Sequence, residues 1–216
     1  MKINTDKIIL TDMDDVMVSW IAGFSRYLRD VHFPEFDIDS RPQDWDMCAW
    51  IGHGVTPPQD RELIADFNSG KYWQFGALPE FKEAVYGIWK LASVGWKFVV
   101  ITSASTDPVA VNLRRANLHN LFGEAIVDLR CLNLGESKLA MLKEYEPTFW
   151  IEDKIANAED GQIAGHCAIL MNQPHNIGKP SNAPLLRVTD WYEIVGAIGT
   201  PSKRTWDAPA HGKVFA

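Results

Sequence analysis

The sequence predicts an α/β fold: a parallel sheet with helices on both faces, plus a small, mainly helical insertion after the first strand. Three observations carry this. Short apolar runs rich in branched residues, such as Ile8-Ile9-Leu10 and CAILM at 167–171, alternate with stretches of helical period. The alternation is regular from Pro79 onward, whereas residues 17–78 resist it. Acidic or hydroxyl residues close three of the runs, at the strand ends where open α/β sheets bind ligands.

In chain order, the first strand is Ile8-Ile9-Leu10, followed by a helix over about 17–30 with apolar residues at near-helical spacing. Residues 31–57, rich in Pro, Asp and Trp, read as irregular, and a short helix over 58–67 is stopped by Asn68-Ser69-Gly70. Then come helix 79–93 closed by Gly95, strand 96–102 (WKFVVIT), helix 108–118, strand 124–128 and helix 137–145. Strand 148–152 (TFWIE), helix 154–164, strand 167–171 and a last helix 190–198 complete the pattern. Residues 1–16 and 79–198 thus form a core, 17–78 an insertion, and 199–216 a tail without periodicity. Trp89, Trp96 and Trp150 lie in helix or strand patterns and read as packing.

The first strand ends in a knot of negative charge, Asp12, Asp14 and Asp15. These residues could be a helix cap and solvated turn residues. They could equally be a carboxylate nucleophile, a second carboxyl able to move a proton, and a seat for a divalent cation that offsets their repulsion. Strand 96–102 ends in Thr102-Ser103-Ala104-Ser105 just before Asp107-Pro108, a good N-cap and first helical residue and a plausible phosphate seat. Strand 148–152 ends in the acidic pair Glu152-Asp153. Between them Lys138 stands in the first turn of a helix, where the dipole disfavours a cation unless an anion is near. Each feature alone has a bland explanation; acid pair, hydroxyl, lysine, acid pair in that order is not a pattern that chance readily produces.

Composition narrows the classes. Of 216 residues 46% are hydrophobic, yet no run approaches a membrane span, and MKINTDKIIL enters the first strand without a secretory signal, so the expected location is cytoplasmic. A formal charge of -7 argues against a nucleic-acid polymer as partner, though not against a small phosphate held locally. Cys48, Cys131 and Cys167 show no paired spacing, and no HExxH-type motif is present, which disfavours zinc and disulfides.

The ordered set resembles the haloacid dehalogenase-like (HAD) phosphohydrolases: Asp12-Met13-Asp14-Asp15-Val16 matches their first motif, Thr102 the second, Lys138 the third, and Glu152-Asp153 the fourth. Within that superfamily the sequence is most similar to the 5'(3')-deoxyribonucleotidases of phage and bacterial type, on DMDDV followed by Trp20, ALPEFKEAVYGIWKLA, VVITSAS, and WIEDKIANAEDG with AILMNQPHN. The resemblance implies a Rossmann-like core with a cap, and a Mg²⁺-dependent phosphomonoesterase acting on (deoxy)nucleoside monophosphates through a phosphoaspartate. It implies Asp12 as nucleophile, Asp14 as acid and base, Thr102 and Lys138 as phosphoryl ligands, and Mg²⁺ on Asp12, the carbonyl of Asp14 and Asp153. Ser103, Trp20 and Trp73 are the expected substrate contacts, Trp20 as the base-stacking aromatic, in an insertion that also supplies Trp45, Trp50, Tyr72 and Phe75. Two departures stand out: Asp15 occupies a position that is usually Gly, and Glu152 one that is often Asp. The expected partner is a small nucleoside monophosphate, with no membrane; a homodimer is left open. Rival readings are a phosphatase for another small phosphomonoester or a polynucleotide 3'-phosphate, and a non-catalytic nucleotide-binding module.

Overall fold

The computed structural model describes residues 2–43 and 46–199; Trp45 and the tail from residue 200 lie outside the described residues. Six strands form one parallel sheet: β1 Ile8–Thr11, β2 Lys97–Ala104, β3 Ile126–Asn133, β4 Phe149–Glu152, β5 Cys167–Met171 and β6 Leu186–Val188. Their order is β3-β2-β1-β4-β5-β6, so the chain reverses its direction of growth between β1 and β4. In an open α/β sheet that switch point opens a crevice at the carboxyl edge. β1 pairs Ile9 with Phe98 on one side and Thr11 with Ile151 on the other. The ends of β1, β2 and β4 therefore meet at one place.

Between β1 and β2 lie α1 Trp20–Tyr27, a π-turn Leu28–His32, α2 Met47–Ile51, α3 Pro57–Asn68, α4 Trp73–Gly76 and α5 Lys82–Ala92. The remaining helices are α6 Pro108–Phe122, α7 Leu139–Leu142, α8 Ile155–Ala164 and α9 Trp191–Gly199. No helix among the described residues is long and apolar enough to cross a membrane. Two buried clusters flank the sheet, one around Phe24, Phe67, Phe98 and Trp191, the other around Leu10, Ile101 and Trp150. Gly161 on α8 has its Cα hydrogen against the Trp150 ring; a Cβ there would stand 2.2 Å from it. That close approach seats α8 directly behind β4, the strand that carries Glu152.

Several expected boundaries move. The first helix starts at Trp20, not 17, because the Ser19 hydroxyl caps it by accepting the Ala22 N–H at 3.1 Å. The helix expected over 137–145 shrinks to α7, because the chain beyond it turns to pair with the N-terminal segment: Ile3 N–H donates to Glu144 O at 2.7 Å and Glu146 N–H to Ile3 O at 2.9 Å. The strand expected over 124–128 starts at Ile126 and runs to Asn133, after a short 3-10 turn at Gly123–Ala125. As an edge strand it exposes Val127 and Asp128, which blurs its apolar pattern. β6, α2 and α4 lie in segments with no strand or helix reading. Trp150 is buried and Trp96 half-buried, but Trp89 is 52% exposed on the outer face of α5, so its reading as packing is corrected.

Candidate active site

Asp12 directly follows β1, and its amide extends the pairing with β4 by donating to Ile151 O at 2.8 Å. Its Oδ1 accepts the Met13 N–H at 2.7 Å, and its Oδ2 lies 2.8 Å from Lys138 Nζ. Lys138 is 1% exposed and sits 2.8 Å from Glu152 Oε2 as well, with its ammonium 5.2 Å from the centre of the Trp150 ring. The anion that the position of Lys138 called for is therefore present twice. Burial works against its charge, but the two carboxylates outweigh that and push the ammonium's pKa up. Burial, reinforced by Glu152, pushes Asp12 up to about 7 although Lys138 opposes it. Glu152 is pushed up to about 7 by burial, against Lys138 and with Asp153 adding to the rise.

Asp14 is held differently. Arg114, fully buried on α6, grips both its oxygens, Nη1 to Oδ1 at 2.9 Å and Nη2 to Oδ2 at 2.6 Å. The Thr102 hydroxyl donates to Asp14 Oδ2 at 3.3 Å, so here it serves Asp14, not an open phosphate seat. Ser103 lines the cavity and donates to Glu136 O at 3.2 Å. Asp15 has φ of 52°, the left-handed region for which Gly is the easy choice and Asp a tolerated one. Its turn is secured by its amide donating to Val18 O at 2.7 Å and by Gln173 Nε2 donating to its carbonyl at 2.6 Å. Burial, then the charges of Asp153 and Asp14, push its carboxyl well above the usual range.

Glu152 has both oxygens engaged, Oε2 by Lys138 and Oε1 by the N–H groups of Asp153 and Lys154 at 3.2 and 3.1 Å. Asp153 meets His175 Nε2 at 3.1 Å, and its carbonyl accepts from Asn176 Nδ2 at 2.6 Å. Arg114, His175 and Asn176 are the residues that sequence reasoning missed. Arg114 carried a signal: it occupies the buried stripe of α6 with Ala110, Asn117 and Leu118, where a charge needs a partner. His175 and Asn176 lie in a polar run just past β5, at the same sheet edge.

A cavity of about 350 Å³ opens over this edge, lined by Asp12, Asp14, Lys138 and Asp153 and, from α1 and α3, by Trp20, Arg61 and Asn68. Trp20 is anchored: its indole N–H donates to Asn68 Oδ1 at 2.9 Å and its ring stacks on Phe24 with centroids 4.6 Å apart. Trp73 is 63% exposed and is not among the lining residues, so of the expected substrate contacts Trp20 and Ser103 border the cavity and Trp73 does not.

Carboxylate oxygens of Asp12, Glu152 and Asp153 lie within 4.8 Å of one another, a buried, oxygen-only donor set. Around them the cavity wall also carries Asp14, Asp15, Asp60 and Glu136, and these acids outnumber the cations Lys138, Arg61 and Lys154 on the wall together with Arg114 behind Asp14. The surplus negative charge and the hard donors fit a magnesium-type cation. Lys138 pairs with Asp12 and Glu152 alike, but the Glu152 side chain is fully buried with both oxygens engaged, whereas those of Asp12 and Asp153 keep some exposure, so these two are the carboxylates that could hold it. Asp153→Ala should therefore weaken Mg²⁺ binding in titration calorimetry far more than Glu152→Gln. Binding also requires ionised Asp12, so below about 7 a proton competes and affinity should fall by up to about tenfold per pH unit. Affinity that is flat from pH 8 to pH 5.5, or equal losses in the two variants, would reject this ligand assignment.

No family model and no curated protein matches the sequence. Solved structures do match in shape. A HAD-superfamily hydrolase from Ehrlichia chaffeensis superposes with a TM-score of 0.55 at 14% identity, covering 92% of this chain and 98% of the other. An L-2-haloacid dehalogenase from Xanthobacter autotrophicus with chloropropionic acid covalently bound gives 0.58 at 9% identity, covering 91% and 99%. A D,D-heptose 1.7-bisphosphate phosphatase from B. bronchiseptica complexed with magnesium and phosphate gives 0.53 at 12% identity, covering 91% and 97%. The chain thus has the Rossmann-like HAD fold, one that includes both phosphatases and dehalogenases.

Proposed function

We propose that this protein is a Mg²⁺-dependent phosphomonoesterase of the 5'(3')-deoxyribonucleotidase kind, with residues 17–78 as its cap. The observation that carries the reading is a carboxylate, Asp12, buried beside Lys138 at the switch point, with a second acid, Asp14, two residues on and lining the same cavity. Asp12 attacks phosphorus, forming an O–P bond as the ester P–O bond breaks, and Asp14, which carries a proton on one oxygen once an arm of the Arg114 fork lets go of it, gives that proton to the departing alkoxide. Asp14, now a carboxylate, takes a proton from water as the water oxygen attacks phosphorus; the Asp12–O–P bond breaks, releasing phosphate and leaving Asp14 protonated. Lys138 and Ser103, both at the cavity wall, would hold phosphoryl oxygens. Magnesium on Asp12 and Asp153 would offset the repulsion between an anionic nucleophile and an anionic substrate. A dehalogenase would release halide, which departs without a proton; an acid at Asp14 is what an alkoxide leaving group requires.

The substrate reading rests on Trp20. Its ring, locked by Asn68 and Phe24, borders the same cavity as Asp12. Stacking on a base is worth about 1–3 kcal/mol, so Trp20→Ala should lower kcat/KM for a deoxynucleoside monophosphate by about 5- to 150-fold. Phosphoserine, which has no base, should lose almost nothing. Equal losses on both substrates, or a wild-type preference for sugar phosphates over every nucleotide tested, would favour another phosphatase of the same fold.

A further inference from the structure

We infer that Arg114 is a positioning residue that holds the Asp14 carboxylate for water activation, and that it links this carboxylate to α4. The inference rests on the phosphomonoesterase reading. Arg114 is 0% exposed and pairs through both terminal nitrogens with Asp14 alone. Its other close contacts are uncharged, Met13 Sδ 2.9 Å from Nη1 and the Phe75 ring of α4 4.8 Å from the guanidinium carbon, while Asp12 and Cys131 act on it without a hydrogen bond. Its Nε has no hydrogen-bond partner among the described residues. Burying a guanidinium is costly, and an apolar side chain on this face of α6 would pack without that cost. The fork therefore does something that packing does not require. Two parallel charge-assisted bonds fix the plane of a carboxylate, which one ammonium cannot do. With the Thr102 hydroxyl at Oδ2, they restrain Asp14, whose side chain remains 21% exposed toward the cavity. Because Phe75 closes one side of the guanidinium, a shift of α4 would be felt at Asp14.

The kinetic consequence depends on the leaving group. Nitrophenolate departs without a proton, so with para-nitrophenyl phosphate the transfer to Asp12 does not need Asp14. Hydrolysis of the phosphoaspartate needs it with every substrate. Arg114→Met should therefore slow the second step selectively. Rapid-mixing kinetics should show a burst of nitrophenolate approaching one equivalent per protein, then a steady rate lowered by about 10- to 100-fold, part of what a general base supplies. kcat and KM should fall together with kcat/KM nearly unchanged, since kcat/KM reports only the first step. Damaged packing would instead lower kcat/KM and produce no burst. Asp14 faces the cavity, so its carboxylate can be hydrated when the arginine is gone and the fold should persist. Should Arg114→Met not fold, Arg114→Lys decides: it keeps the charge, loses the fork, and should show a smaller burst. A wild type that turns over while the folded variant shows no burst, with kcat/KM falling in step with kcat, overturns the role of Arg114 alone. A wild type that releases phosphate from no monoester overturns the phosphomonoesterase reading, and this role with it.

Discussion

Asp12→Asn is expected to abolish turnover and to leave the fold intact. The amide has nearly the same shape, so its oxygen can still accept the Met13 N–H that Asp12 Oδ1 accepts at 2.7 Å. Lys138 loses one of its two partners and keeps Glu152 at 2.8 Å. What would disappear under the proposed mechanism is formation of the Asp12–O–P bond, because a neutral amide is a poor nucleophile toward phosphorus. Activity within ~10-fold of wild type, a barrier change below ~1.4 kcal/mol, would remove Asp12 from the role of nucleophile. Stability gives a second reading. Asp12 is raised to about 7 in the folded protein by burial and by Glu152, above its value in an unfolded chain. The folded state then binds more protons than the unfolded one between these values, so this group makes stability fall as pH rises to about 7. Asparagine does not titrate. Relative to wild type, Asp12→Asn should gain stability as pH increases from 5 to 8, measured by urea unfolding.

The parts of the site legible in the sequence were those fixed locally. A branched apolar run predicts a strand, parallel strands end at one edge, and whatever follows such runs is brought together; Asp12, Thr102 and Glu152-Asp153 followed from this. Which side chain pairs with which did not. Lys138 and Glu152 are 14 residues apart, and Arg114 and Asp14 are 100 apart, so their pairing depends on how α6 and α7 lean on the sheet. That choice sets the site's geometry: Asp12 and Glu152 share one lysine, Asp153 meets His175, and Asp14 is restrained by a residue outside every recognised motif. The short α7 has the same origin, since its truncation follows from pairing with Ile3, remote in sequence. Trp73 illustrates the converse limit. A tryptophan in an aromatic-rich insertion can face the cavity, the core or solvent, and only the packing of α4 decides.

The lysine between Asp12 and Glu152 should matter to stability as much as to chemistry. Lys138 Nζ lies 2.8 Å from a carboxylate oxygen of each, and all three groups are buried. Lys138→Met fills the same volume approximately but leaves two carboxylates facing each other without a counter-charge. Breaking a buried ion pair by removing one partner costs about 3–5 kcal/mol, and that loss is expected at pH 8. It should depend on pH in a defined direction. Both acids are already raised to about 7, mainly by burial, while Lys138 holds them down; without it they rise further. An acid whose folded pKa exceeds its unfolded one destabilises the fold as pH climbs through the interval between them, so the variant's interval extends above that of wild type. Lys138's own raised value contributes stability that is present below the ordinary lysine range and lost only above it, so it adds no slope between pH 5 and 8. The deficit should thus be largest at pH 8 and shrink toward pH 5, where protons neutralise both carboxylates. Adding Glu152→Gln removes one of the two orphaned charges and should recover part of the loss, as should Mg²⁺ binding to the folded state. Urea unfolding of the single and double variants at both pH values tests this. A deficit below about 1 kcal/mol at pH 8, of the size expected for an exposed pair, would mean that water reaches Lys138 and that the pair is not buried in solution.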